Sequence, residues 1–146
     1  HVGIVFQDFH LLPTLTAAEN VELAIELSGA GAGRRLRRSA AREALDRVGL
    51  ADHARKLPAQ MSGGEQQRIG IARAMVNQPA LIVADEPTGA LDQANGHAVF
   101  ELLVGLARSG STVVFITHDL ALAGSADRTV SMIDGRVAAI DARAGA

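Results

Sequence analysis

Two adjacent carboxylates, a serine followed by paired glycines, one histidine and one glutamine are residue types that could act on a phosphate. Ser62-Gly63-Gly64-Glu65-Gln66-Gln67-Arg68 sets a hydroxyl three residues before a carboxylate, the reciprocal pattern that caps the start of a helix. The glycines let a ligand approach the main chain, and a helix start offers free N–H groups and partial positive charge. An ordinary capped helix behind a tight turn would use the same residues. Leu81-Ile82-Val83-Ala84-Asp85-Glu86 ends an apolar run on two carboxylates. Asp85 could ligate Mg²⁺ through oxygen, and Glu86 could orient or deprotonate an attacking water. A solvated acidic turn is the plainer alternative. His118 follows another apolar run and could donate to a γ-phosphate, or simply lie at the surface beside an N-cap made by Thr117 or Asp119. Gln7, after Val2 to Phe6, is commonplace when taken alone.

These groups depend on the elements that carry them. Val2 to Phe6, Leu81 to Ala84 and Thr112 to Thr117 are short, apolar and largely β-branched, as buried strands are. The carboxylates, the histidine and the glutamine therefore fall at strand carboxyl ends, where open α/β sheets bind ligands. Thr16 with Glu19 predicts a capped helix to about Leu27. Ser28 to Gly33 reads as a small-residue linker, and Arg34, Arg35, Arg37 and Arg38 as a basic knot before a helix from Ser39 to Val48. Ser62 opens a helix to about Asn77, stopped by Pro79. A further helix spans Gln93 to Arg108, and a short one starts at Asp119. Asp134-Gly135 joins Thr129 to Ile133 and Val137 to Ile140 as a hairpin. Strands alternating with helices predict an α/β domain with a parallel sheet.

The 146 residues suffice for one domain that buries roughly 68–70% of its unfolded surface. With 48% hydrophobic residues the chain is globular. A net charge of −2 gives no electrostatic case for a nucleic-acid partner, and with no cysteine there is no disulfide or thiolate metal site. No apolar run approaches the roughly 20 residues that span a bilayer.

Gln7, Ser62 to Arg68, Asp85-Glu86, Ala90-Leu91-Asp92 and His118 occur in this order, and with them essentially the whole chain resembles the nucleotide-binding subunits of ABC transporters. Gln7 matches the Q-loop glutamine, and Ser62-Gly63-Gly64-Glu65-Gln66 the signature sequence in its variant with Glu after the glycines. Leu81 to Glu86 matches Walker B with its catalytic glutamate, Ala90-Leu91-Asp92 the D-loop, and His118 the switch histidine. Phe6-Gln7-Asp8-Phe9-His10-Leu11-Leu12-Pro13, Pro58-Ala59-Gln60-Met61-Ser62 and Asp85 to Asp92 look like the lipoprotein-release and macrolide-export group. The cell-division ATPase and some peptide exporters share these phrases.

The resemblance implies a P-loop NTPase-type fold. Residues 1–8 and 76–146 would form a mainly parallel sheet core, and residues 9–75 a helical signature subdomain. It further implies ATP and Mg²⁺, a head-to-tail dimer with two sandwiched nucleotides, and a membrane permease partner at the cytoplasmic face of the inner or plasma membrane. Asp85 with Gln7 would hold Mg²⁺, Glu86 would polarise the attacking water, and His118 would bond the γ-phosphate. Ser62, Gly63, Gly64, Glu65, Gln66 and Asp92 would serve the nucleotide across the dimer interface.

One part of the family's equipment is not in the sequence. No G-x-x-x-x-G-K-[ST] occurs, Gly29-Ala30-Gly31-Ala32-Gly33 lacks the Lys-Ser/Thr, and the single lysine, Lys56, precedes the signature. The chain opens on His1 within a strand-like run, so the fold is expected to be incomplete, its phosphate loop lying upstream. On that expectation the 146 residues alone bind ATP poorly, and losing a mid-sheet strand between Thr112 to Thr117 and Thr129 to Ile133 exposes strand edges. Two further classes stay open: a soluble ABC ATPase working on nucleic acid, which would usually carry coiled-coil or zinc insertions or a second cassette, and a non-enzymatic fragment.

Overall fold

The three short β-branched runs pair as parallel strands β1 (Val2–Val5), β2 (Leu81–Asp85) and β3 (Thr112–Ile116), in that spatial order, in a computed structural model that describes residues 2–29, 31 and 33–142. Val2 lies opposite Leu81, itself opposite Thr112, and Ile4, Val83 and Val114 form a second row. This register brings the carboxyl ends of β1 and β2, with Gln7 and Asp85-Glu86, to the same end of the sheet. The α/β class expected from the strand–helix alternation is what the chain adopts.

Between β1 and β2 run α1 (Ala17–Leu27), α2 (Arg34–Arg47) and α3 (Gly63–Met75), and α4 (Gln93–Arg108) links β2 to β3. Ala17, Val21 and Ile25 of α1 and Ala41, Ala44 and Leu45 of α2 are buried at the spacing of one helical face, whereas α3 buries Ile69, Ile71 and Ala72 on more than one side. α3 packs on β1 and α4 on β3. The first contact is close: a Cβ at Gly3 would overlap the Ala74 carbonyl. Phe100 of α4 meets Phe115 edge to face at 5.5 Å.

The helix expected from Ser39 starts five residues earlier. Arginine is a good helix former, and its charged head reaches water while its stem follows the helix, so the basic knot lies within α2. Gly33 precedes it without a side-chain cap. Of the linker expected over Ser28 to Gly33, Ala30 and Ala32 lie outside the described residues, as does His1 at the start of the first strand. The buried Asn20 organises the approach to α1: its Oδ1 accepts from the Leu12 N–H at 2.8 Å, and its Nδ2 donates to the carbonyls of Leu12, Leu15 and Thr16.

From Thr117 on the chain forms a second unit. It holds α5 (Leu120–Ala123), capped by Asp119, and an antiparallel hairpin of β4 (Arg128–Ile133) and β5 (Arg136–Ala142), which turns through Asp134 and Gly135 at positive φ. Among the described residues β3 pairs only with β2, and β4 only with β5.

Candidate functional site

The start of α3 is built by a reciprocal capping box. Ser62 is extended (φ −66°, ψ 160°), its Oγ accepts from the Glu65 N–H at 3.2 Å, and its own N–H donates to Glu65 Oε2 at 2.7 Å. The Ser62 N–H foremost, then its hydroxyl, His53 and Lys56, hold the Glu65 carboxyl below the ordinary carboxylate range. His53 Nε2 lies 3.0 Å from Glu65 Oε1. The box satisfies the N–H groups of Ser62 and Glu65, whereas those of Gly63 and Gly64 have no intrahelical acceptor. Gln66 faces back and donates to the Met61 carbonyl at 3.1 Å.

Of the two glycines, only Gly64 is required by a neighbour within the chain, since a side chain at Gly63 would make ordinary van der Waals contacts. A Cβ on Gly63 would sit 3.5 Å from Leu91 and 3.6 Å from the Phe9 ring, and one on Gly64 would overlap the Asn95 amide. Asn95 cannot swing aside freely, because Asp92 grips it: Asn95 N–H donates to Asp92 Oδ1 at 2.9 Å, and its Nδ2 to Oδ2 at 2.6 Å. The same bonds cap α4 and lower the Asp92 pKa. Ala90-Leu91-Asp92 therefore lies against the first turn of α3 in the same chain.

At the end of β2, Asp85 is exposed and Glu86 half-buried. Glu86 has φ +43°, a left-handed conformation that costs a non-glycine residue strain. Its N–H donates to the Ile116 carbonyl at 3.0 Å, and its carbonyl accepts from the Gly89 N–H at 3.0 Å, so a tight turn follows the strand. Gln7 reaches this turn: its Nε2 lies 3.3 Å from where a Gly89 Cβ would be. Beyond it, Phe9 (φ +60°) and His10 (φ +46°) are also left-handed, and the Arg73 guanidinium donates to both of their carbonyls.

The structure thus gathers Ser62, Gly63 and Gly64 with the Leu91-Asp92 segment, and Gln7 with the turn after Asp85-Glu86. His118 is exposed and lies in the second unit, one residue before the cap of α5. No three of His, Asp and Glu converge among the described residues. Open clefts of about 520 and 640 Å³ line α2, and neither includes any of these side chains. Sequence reasoning missed Gln67, Arg73, Asn95 and His53. Gln67 had a legible signal, being a polar residue at helical spacing with Gly64 and Ile71 on the buried stripe of α3. The other three act through contacts remote in sequence, which no local pattern marks.

Residues 1–89 match the family described as ABC transporter. The chain is 49% identical over 139 residues to the macrolide export ATP-binding/permease protein MacB of Sodalis glossinidius, covering 95% of this chain and 21% of that protein. It is 46% identical over 139 residues to a probable syringafactin export ATP-binding/permease protein of Pseudomonas syringae, again spanning 21% of the relative. An uncharacterized ABC transporter ATP-binding protein of Bacillus subtilis, YvrO, is 49% identical over 136 residues, which are 93% of this chain and 58% of that one. Among solved structures, the ATP-binding cassette MJ0796, dimeric in a post-hydrolysis state with ADP and Pi, superposes with a TM-score of 0.84 at 42% identity, covering 97% of this chain and 62% of that one. The chain thus spans about a fifth of the first two relatives and about three-fifths of the single-cassette ones.

Proposed function

The chain belongs to the ABC transporter family, and from that premise we propose that it supplies the signature helix and the catalytic carboxylates of a subunit that binds and hydrolyses ATP to drive a membrane permease. The observation that carries this is the seating of Gln7 against Gly89, in the turn that Asp85-Glu86 opens at the carboxyl end of a parallel strand. A carboxylate and a side-chain amide brought to one turn suit the site chemically. Mg²⁺ takes one or two protein oxygens and fills its octahedron with water and phosphate oxygens, so a dense acidic cluster is not needed. Asp85 and Gln7 would hold the ion, which when bound neutralises charge on the phosphate oxygens.

Glu86, set by its strained backbone just past the strand, is proposed to orient and polarise the attacking water. His118 is proposed to bond the γ-phosphate. Ser62 and the N–H groups of Gly63 and Gly64, which no intrahelical acceptor takes, would form an anion site that serves a nucleotide held by a second copy of the subunit. The dimeric cassette named above supports that arrangement, and Asp92, lying beside the same helix start, would join the two sites. Glu65 and Gln66 keep the anion site in shape. The core and helical regions are proposed to divide at residues 1–8 and 76–146 against 9–75. The described residues include no helix long and apolar enough to cross a membrane, and we place the subunit at the cytoplasmic membrane face through its permease. The exporter relatives and the shared phrases around Gln7, Ser62 and Asp85 support the macrolide-export and lipoprotein-release group.

In the complete subunit, Glu86→Gln is expected to cut ATP turnover about 10²- to 10⁴-fold while nucleotide binding persists. Unchanged turnover removes Glu86 from this role. The lack of G-x-x-x-x-G-K-[ST] favours a second reading, a non-enzymatic piece. Absence of ATP hydrolysis by the full reading frame with its permease would decide for it.

A further inference from the structure

The geometry points to Gln67 as a positioning residue that holds Gln7 and Glu86 in register through the main chain, an inference that rests on the roles proposed for those two residues. Gln67 is fully buried in α3. Its Nε2 carries two hydrogens and donates to two carbonyls, Phe6 at 3.1 Å and Pro87 at 2.8 Å. One acceptor belongs to the residue immediately before Gln7, the other to the residue immediately after Glu86. A single amide therefore ties the exit of β1 to the exit of β2, and two carbonyl acceptors on the same nitrogen set which way the amide points.

The residue type is costly for its place. Gln67 lies on the face of α3 that also presents Gly64 and Ile71, both buried, where an apolar side chain would serve packing alone. Its Oε1 is buried with no hydrogen-bond partner, and a buried polar atom left in that state is destabilising. The amino half of the amide is the half with partners, and it goes to the two strand exits.

The backbone around those exits is strained. Glu86, Phe9 and His10 all have positive φ, and such residues persist only where the surroundings over-determine them. Gln67 bonds the peptide next to Glu86, and Arg73 of the same helix bonds the Phe9 and His10 carbonyls. Because Gln67 is five residues from Ser62 on one rigid helix, a displacement of the signature start is passed to both strand exits together.

The test uses the complete subunit with its permease and compares Gln67→Met, which keeps length and packing but has no donor, with Gln7→Ala and the double variant. Gln67→Met is expected to lower kcat about 10- to 100-fold with the KM for ATP changed less than about 3-fold. In the Gln7→Ala background the same change should cost less than about 3-fold, because part of what Gln67 positions is then gone. A Gln67→Met kcat within about 2-fold of the parent, or a fully additive cycle, overturns the inference. Should Gln67→Met not fold, the unmodified protein decides: both Gln67 Nε2 protons should exchange with deuterium far more slowly than those of the exposed Gln78, and equal rates overturn it. A parent subunit that does not turn over ATP defeats the preceding proposal and this one together; turnover indifferent to Gln67 defeats this one alone.

Discussion

The two faces of the three-stranded sheet are written in the same alphabet and treated in opposite ways. On one face Val5, Ile82 and Ala84 are buried, with Val113 and Phe115 packed against them under α3 and α4. On the other, Val2, Ile4, Val114 and Ile116 are between 45% and 56% exposed, although they are no less apolar. Parallel strands are apolar on both sides because both faces are normally covered. The difference teaches that a strand's residues record the cover their fold is built for, whereas burial records the cover this stretch of chain itself provides. Apolar surface of this kind promotes association.

The comparison can be broken first at its centre. Ile82→Ala removes a fully buried side chain from the covered face and should cost about 2–5 kcal/mol in a urea melt of the complete protein. A cost below about 1 kcal/mol would mean the covered face is not close-packed. Next is Gly3→Ala, whose methyl would press on the Ala74 carbonyl; overpacking of this kind costs about 1–3 kcal/mol, measured in the same melt. Tolerance of alanine there would show that α3 does not lie directly on β1.

The helix that covers the sheet can be loosened at its start. Ser62→Ala deletes the cap acceptor and should cost about 1 kcal/mol. Its partner Glu65 has a lowered pKa, so the stability it contributes is present above the ordinary carboxylate range and lost as pH falls through the lower folded value. Thermal melts of the parent and Glu65→Ala should therefore differ at neutral pH and converge in acid. A gap that widens in acid would reverse that sign. The smallest effect belongs to the open face: Ile4→Thr with Val114→Thr should change stability by no more than about 0.5 kcal/mol each, while sedimentation of residues 1–146 shows less self-association. A large loss of stability would mean that this face is buried in the chain as it stands.

Much of this was legible in residues near one another in sequence. Thr16 with Glu19 and Ser62 with Glu65 announced two helix starts, and the structure shows both boxes closed. The β-branched runs announced three strands with boundaries shifted by one residue, and their alternation with helices the fold class; the family came from the resemblance carried by Gln7, Ser62 to Arg68, Asp85-Glu86, Ala90 to Asp92 and His118. α2 starts at Arg34 and not at Ser39, because arginines at a helix surface extend into water and continue the helix. Gln7, Asp85 and Glu86 were marked by type and by position at strand ends. What was not legible was why Gly64 must be glycine within its own chain, or that Glu86, Phe9 and His10 are strained.

By itself, then, the sequence determined the elements, their order, and the residue types set at strand exits and at the start of α3. These follow from spacing within a few residues, which main-chain periodicity and capping govern directly. Only the tertiary structure decided which sheet face is covered, that Asn95 fills the space above Gly64, and that Gln67 reaches two carbonyls 61 and 20 residues away. Such contacts depend on how whole elements pack, and packing is set by shape and volume across the fold, not by local pattern.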